Sequence, residues 1–381
     1  MRRLITLAVA LAASLPAAAQ DIKLPQTVTA TAYDTGTSGF NVAVAVGKVF
    51  KDKHGTELRV LPAGNDVARL NPLRAGRAQI SAMGIGMYFA QEGVFEFAVK
   101  DWGPQRLQMI LGSNDCNGVG LGVAKDTGVK EAKDLKGKRI GIVVGSPALN
   151  QNAFAYLAFG GLTPADVRLV EFSSFGAMWK GMLNNEADAA IVSTITGQAR
   201  ELENSPRGLV WISTPHKDKE AWARMHKIGP YFIPHAATCG AGGLSPQTPL
   251  EMPTYGYPLF MAYAAQDEAT VYAITKAMIV HYDLYKDAAP GAAGLAVSRQ
   301  TLKWVLPHHR GTVKALREAG AWTAEHDAHN QSLLKRQDVL VAAWSDFLKT
   351  NPGDEREAFR KAWMAARKEA LGKADLPTVF D

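Results

Sequence analysis

The sequence predicts an α/β protein of two lobes followed by a helical C-terminal extension. Two blocks, about residues 27–111 and 118–212, alternate short β-type runs with apolar helical periodicity. Such βαβ patterning implies mostly parallel sheets with helices on their faces. A glycine- and proline-rich break, 240–253, precedes one further strand-like run. From Asp267 onward the periodicity is helical throughout.

In the first block, Thr27 to Thr31 reads as a strand and Thr35-Gly36-Thr37-Ser38-Gly39-Phe40 as a turn. Val42, Ala45, Val46, Val49 and Phe50 then recur at helical spacing. Leu58 to Leu61 is a strand, Asn65-Asp66 caps a helix running to Arg74, and Gln79 to Met83 is the next strand. A short helix near Tyr88 to Glu92 and a strand at Leu107 to Leu111 complete the block.

The second block opens with a strand, Gly118 to Ala124. Strands follow at Ile140 to Val144, Arg168 to Phe172, Ala189 to Val192 and Leu209 to Ile212. Between them lie helices from Gly145-Ser146-Pro147 to Leu157, Ser174 to Leu183, and Gly197 to Leu202. Beyond the break, Thr254 to Ala264 is strand-like; helices are expected at Thr270 to Tyr285, Val313 to Glu318, Glu325 to Leu348 and Glu355 to Leu371. The expected division is 21–115 with 254–287 as lobe I, 116–253 as lobe II, and 288–381 as the extension.

Residues 1–20 read as a signal peptide: Arg2 and Arg3, an apolar run from Leu4 to Leu15, and Ala17-Ala18-Ala19 for cleavage. The run is shorter than the roughly 20 residues a membrane span needs. The mature chain is therefore expected to be soluble and exported. Loss of Arg2 and Arg3 lowers the formal charge from +6 to +4, too little and too scattered to indicate nucleic acid. In an oxidising compartment Cys116 and Cys239 form either a disulfide or two separate buried thiols.

Ligands of open α/β sheets bind beyond the carboxyl ends of the strands, where helix N-termini expose N–H groups. Four junctions have this character: Thr35 to Phe40; Gly64-Asn65-Asp66 with Arg69; Gly145-Ser146 with Asn150 and Asn152; and Ser193 to Gln198, including Thr194, Thr196 and Gln198. At the first, Ser38 either caps its own helix or helps hold an anion. Arg69 either clamps a ligand carboxylate bidentately, or is a solvated charge or a partner of Asp66. Tyr255 or Tyr257 is a candidate for the cleft wall. No G-x-S-x-G, H-E-x-x-H or C-x-x-C motif occurs, so no catalytic set, metal or cofactor is expected. His326 and His329 share a helix face but lack a third ligand nearby.

Several motifs, in order, resemble the TAXI-type periplasmic solute receptors of tripartite ATP-independent periplasmic (TRAP) transporters. They are the Gly/Thr/Ser turn, Asn71-Pro72-Leu73-Arg74-Ala75-Gly76, Asp134-Leu135-Lys136-Gly137-Lys138-Arg139, Gly145-Ser146, Tyr272-Ala273-Ile274-Thr275-Lys276, and Glu318-Ala319-Gly320-Ala321-Trp322. The resemblance implies a type II-like periplasmic binding-protein fold. It also implies a non-enzymatic receptor, taken to be a monomer, that hands a small carboxylate to an ion-driven membrane permease. By motif, Thr35, Gly36, Ser38, Gly39 and Phe40 correspond to one binding loop and Gly145-Ser146 to another. Asp66 and Arg69 stand where the family commonly has Ser and Asn, and Pro147-Ala148 replaces Gly-Thr. A signalling receptor's ligand sensor fits the same fold, and an exported enzyme is the less favoured alternative.

Overall fold

The computed structural model describes residues 22–380; the expected signal peptide lies outside them. The first lobe contains β1 (Thr27–Ala32), α1 (Ser38–His54), β2 (Glu57–Pro62), α2 (Asp66–Arg74), β3 (Ile80–Met83), α3 (Gly86–Glu92) and β4 (Leu107–Gly112). The chain then crosses to β5 (Val119–Ala124), β6 (Arg139–Val143), α4 (Pro147–Phe159), β7 (Arg168–Phe172), α5 (Phe175–Leu183), β8 (Ala189–Ser193), α6 (Gly197–Glu203), β9 (Leu209–Trp211) and α7 (Lys219–Ile228). A hairpin of β10 (Ile233–Ala237) and β11 (Leu250–Thr254) precedes the return crossing to β12 (Leu259–Tyr263). The remainder is helical: α8 (Glu268–Val280), α9 (Tyr282–Tyr285), α10 (Arg310–Glu318), α11 (Ala324–Lys349) and α12 (Arg356–Lys373).

Two five-stranded sheets result, ordered β2-β1-β3-β12-β4 and β7-β6-β8-β5-β9. Parallel pairing holds for β2-β1-β3 and for β7-β6-β8. One strand in each sheet departs from the expected parallel run: β12 is antiparallel to β3 and β4, and β5 is antiparallel to β8 and β9. The antiparallel strand in each sheet is the one that follows an interlobe crossing. A chain arriving from the other lobe enters at the cleft end, opposite to strands whose carboxyl ends point there.

Burial explains the composition of the central strands. β3, β4, β5 and β8 are buried along their whole length and carry near-continuous apolar runs, whereas edge strands β2 and β7 are largely exposed. Residues of α1 and α8 cover one face of the first sheet: Val42, Val46 and Phe50 pack with Val271, Ile274 and Met278. The 3.6-residue spacing of Val42, Val46, Val49 and Phe50 puts them on one stripe, and Gly55 closes α1 in the left-handed region at φ 67.

The extension is pinned to the first lobe by polar groups sealed from solvent. Glu92, at the end of α3, accepts hydrogen bonds from Arg336 of α11 at 2.7 Å and from Arg367 of α12. The Trp363 indole donates to the Gly93 carbonyl at 2.7 Å. A small apolar cluster of Phe347, Phe359, Trp363 and Ala98 completes the joint. Residues 307–309 run along the edge of β4, where the Met109 N–H donates to Pro307 O and the His309 N–H to Met109 O. The chain itself thus covers what would be an open sheet edge.

Candidate functional site

The carboxyl ends of both sheets face one another across a cavity. Tyr33, Thr37 and Gly84 reach it from the first lobe, with Tyr255 and Tyr257 from the return crossing. Val119, Ala148, Leu149, Asn152, Phe175, Ile191, Val192, Ser193 and Thr196 line it from the second lobe. No charged side chain is among these residues. The space open to water-sized spheres is about 30 Å³, enough for about two water molecules.

Local sequence places each wall. Thr37 is the N-cap of α1, its hydroxyl accepting from the Phe40 N–H at 3.3 Å. The cap is therefore Thr37, one residue before the Ser38 considered from sequence. Gly36 adopts φ 86, a left-handed conformation that a side chain would strain. Thr196 N-caps α6 without a side-chain cap bond and lines the cavity. Asn152 is held by its neighbours: Tyr231 OH donates to its Oδ1 at 2.7 Å, and its amide donates to Tyr255 OH at 3.5 Å. Burial raises the pKa of Tyr33 and of Tyr255, so both phenols stay protonated.

The residues singled out from sequence divide into three groups. Thr37, Thr196, Asn152 and Tyr255 line the cavity. Others lie outside its lining. Gln198 faces Gly36, where an added Cβ would lie 3.7 Å from its amide nitrogen. The Thr194 hydroxyl donates to Cys239 O at 2.8 Å, and Asn150 exchanges hydrogen bonds with the Val143 backbone on the far side of α4. Phe40 packs partly buried against the first-lobe core, and Thr35 is exposed.

Asp66 and Arg69 form the third group. Both are fully buried and paired with each other, and neither lines the cavity. The Arg69 guanidinium carbon sits 3.3 Å from the centre of the Tyr33 ring. Of the sequence alternatives for Arg69, the pair with Asp66 is the one adopted; it is not a solvated charge, and a ligand carboxylate on Arg69 has no place in this geometry. Asn65 caps α2 by accepting from the Ala68 N–H at 2.8 Å. Gly145 O accepts from Val67 N–H at 3.1 Å, and the Ser146 hydroxyl lies 3.2 Å from that of Tyr33. These loops therefore touch each other across the cleft.

Sequence reasoning missed Tyr33, Gly84, Phe175 and the aliphatic residues of β5, α4 and β8. Tyr33 lies two residues before the glycine turn and Phe175 directly after the Ser174 helix cap, so both sit at recognisable junctions. The aliphatic positions read only as core. Cys116 and Cys239 are disulfide-bonded, 5.5 Å apart at Cα and 123 positions apart in sequence. The bridge holds the loop after β10 beside β8, where the Ala241 N–H donates to Thr194 O at 2.8 Å. His326 caps α11 together with Thr323, and His329 lies 2.7 Å from Trp304 O. Among the described residues no group of three or more His, Cys, Asp or Glu is placed to hold a metal ion.

Two α/β lobes joined by two crossings, with a cavity between the carboxyl ends of their strands, define the class as a solute-binding-protein fold. Residues 29–320 match the NMT1-like family, and the chain belongs to that family. No curated protein matches it. Among solved structures it is similar to an ancestral arginine-binding protein bound to arginine, at 14% identity and TM-score 0.43, covering 70% of this chain and 97% of that one. It is also similar to a periplasmic binding protein from Brucella ovis with glutathione bound (11% identity, TM-score 0.43, 68% and 69% covered). A third is the alkanesulfonate-binding protein SsuA from Xanthomonas axonopodis pv. citri bound to MOPS (14% identity, TM-score 0.42, 84% and 95% covered). No helix among the described residues is long and apolar enough to cross a membrane.

Proposed function

We propose that the chain is a periplasmic solute receptor that closes on a small organic acid and delivers it to a TRAP-type membrane permease. The observation that carries the reading is the cavity itself, without a charged side chain and lined from both lobes at their strand ends. In this reading a solute enters as the lobes swing apart about the two crossings and is enclosed as they return. Tyr33, Phe175, Tyr255 and Tyr257 offer faces and edges for an apolar body. Thr37, Ser193, Thr196 and Asn152 offer hydrogen bonds to a carboxylate, in place of the arginine clamp.

The test is mass spectrometry of the solute that co-purifies with the natively expressed protein, followed by titration of that compound. Asn152→Ala is expected to weaken its binding about tenfold, one lost hydrogen bond to a charged group. Unchanged affinity in this variant, or conversion of the compound into a product, sinks the reading. Delivery is tested by reconstituting uptake with a TRAP permease in vesicles; uptake that ignores the receptor refutes the partner.

A further inference from the structure

The second lobe presents two helix N-termini to the cleft, and the first lobe fills both with its own carboxylates. At the start of α4, the Ala148 N–H donates to Asp66 Oδ2 at 2.8 Å. At the start of α5, the Gly176 N–H donates to Asp34 Oδ2 at 2.8 Å. Ala148, and Phe175 next to Gly176, also line the cavity, so the two contacts flank it.

The surroundings of Asp66 are shaped for a carboxylate. Its Oδ1 accepts from Arg69 and, at 3.0 Å, from Tyr33 OH. Gly86 makes the room: a Cβ there would come within 2.6 Å of Asp66 Cγ. A carboxylate with donors from its own lobe and an N–H from the facing helix is held by charge-assisted bonds and by the positive end of α4. This is the position at which sequence reasoning would place a ligand anion.

We propose that Asp66 is a tethered carboxylate standing in for a ligand anion at α4. It acts as a specificity-determining clasp: the chain supplies the charge that closes the lobes, and the solute is read by neutral groups alone. The proposal rests on the receptor reading above. A solute carboxylate is excluded from the α4 N-terminus because Asp66 already holds its donors, and Asp34 provides the second clasp at α5.

Chemical rescue tests it. Asp66→Gly leaves a space the size of formate, with Arg69, Tyr33 and the Ala148 N–H still pointing into it. By small-angle scattering without added solute, this variant is expected to adopt a more open form than the wild type. Millimolar sodium formate is expected to restore the compact form, and sodium chloride at equal ionic strength is expected not to. Solute affinity is expected to fall about ten- to a hundredfold without formate, the scale of a lost charge-assisted bond. Asp66→Asn, which keeps the size and removes the charge, is expected to be open with and without formate. If the glycine variant does not fold, the asparagine variant, checked by circular dichroism, decides alone. A compact Asp66→Asn protein, a glycine variant compact without formate, or equal rescue by chloride overturns the proposal. Formate rescue in a protein whose wild type retains no solute upholds the clasp and strikes the receptor reading instead.

Discussion

Glu92 and Asp66 are both fully buried carboxylates bound to arginine, but their partners belong to different parts of the molecule. Glu92 joins α3 to residues of α11 and α12, 244 and 275 positions further along. Asp66 pairs with Arg69 on its own helix and spends its second oxygen on the other lobe. The first site is enclosed by two guanidiniums and by the apolar cluster around Trp363. The second can lose its interlobe bond while keeping its arginine. Charge of the same kind thus serves a permanent joint in one place and a reversible contact in the other.

Breaking the permanent joint carries the largest expected effect. Glu92→Gln leaves Arg336 and Arg367 buried without a counter-charge, a loss of about 3–5 kcal/mol. Thermal unfolding followed by calorimetry is expected to shift down by several degrees, with the extension becoming protease-sensitive first. A wild-type midpoint would contradict the joint's importance. Burial pushes the Glu92 pKa up, but the bonds and charges of Arg336 and Arg367 outweigh it and hold it below the usual carboxylate range. A lowered folded pKa contributes stability that is present above the unfolded value and is lost as pH falls through the folded one. The joint is therefore expected to fail only below about pH 4.

A second acid response comes from the strip along β4. Burial lowers the His308 pKa to about 3 and that of His309 to about 4. His309 Nδ1 accepts from the Gly311 N–H at 3.1 Å, which places its proton on Nε2, 3.1 Å from Gln266 O. Both rings are thus neutral when folded, while an unfolded chain protonates them below about pH 6.5. Below that pH the unfolded state binds more protons, so stability falls as pH falls, by about 1.4 kcal/mol per pH unit for each histidine. Denaturant titrations between pH 7 and pH 4 are expected to show this decline, reduced in His308→Asn. A flat profile would mean the rings titrate freely in the folded protein.

How much of this was legible in sequence follows from what each feature depends on. Caps and periodicity are local, so α1, α2, α4, α11 and α12 fall within a few residues of their expected bounds. Strand direction is not local: short apolar runs mark β5 and β12 as strands but do not say which way they run. α7 was overlooked because Trp222 and Met225 stand in a polar stretch, Lys217 to Lys227, whose only start signal is Asp218. Arg69 and Asp66 are three apart on a helix, so their pairing could be read; their complete burial could not. Asp34 carried no signal, because its partner Gly176 lies 142 residues away and only folding brings them together.

Asp34 sharpens the contrast between joint and clasp. Its bond to Gly176 crosses the cleft, and a side chain added to Gly176 would crowd it at 3.1 Å. Asp34→Asn is expected to cost about 1 kcal/mol of lobe closure, with little change in the unfolding midpoint. Opening measured by scattering with an unchanged melting temperature would separate clasp from joint. A fall in melting temperature as large as that of Glu92→Gln would erase the distinction.

The smallest expected effect belongs to Ser146, whose hydroxyl lies 3.2 Å from that of Tyr33 at the edge of the Asp66 site. Removing it leaves Tyr33 still donating to Asp66 and the α4 N–H contact intact. Ser146→Ala should therefore weaken closure by about 0.5 kcal/mol or less, the low end for one neutral hydrogen bond. Tyr33→Phe removes a donor to the carboxylate itself and should weaken closure more than Ser146→Ala does. Scattering and solute titration of the two variants side by side give the order. If Ser146→Ala opens the cleft as far as Tyr33→Phe, the hydroxyl pair rather than the carboxylate holds this point, and Asp66 loses its central place in the clasp.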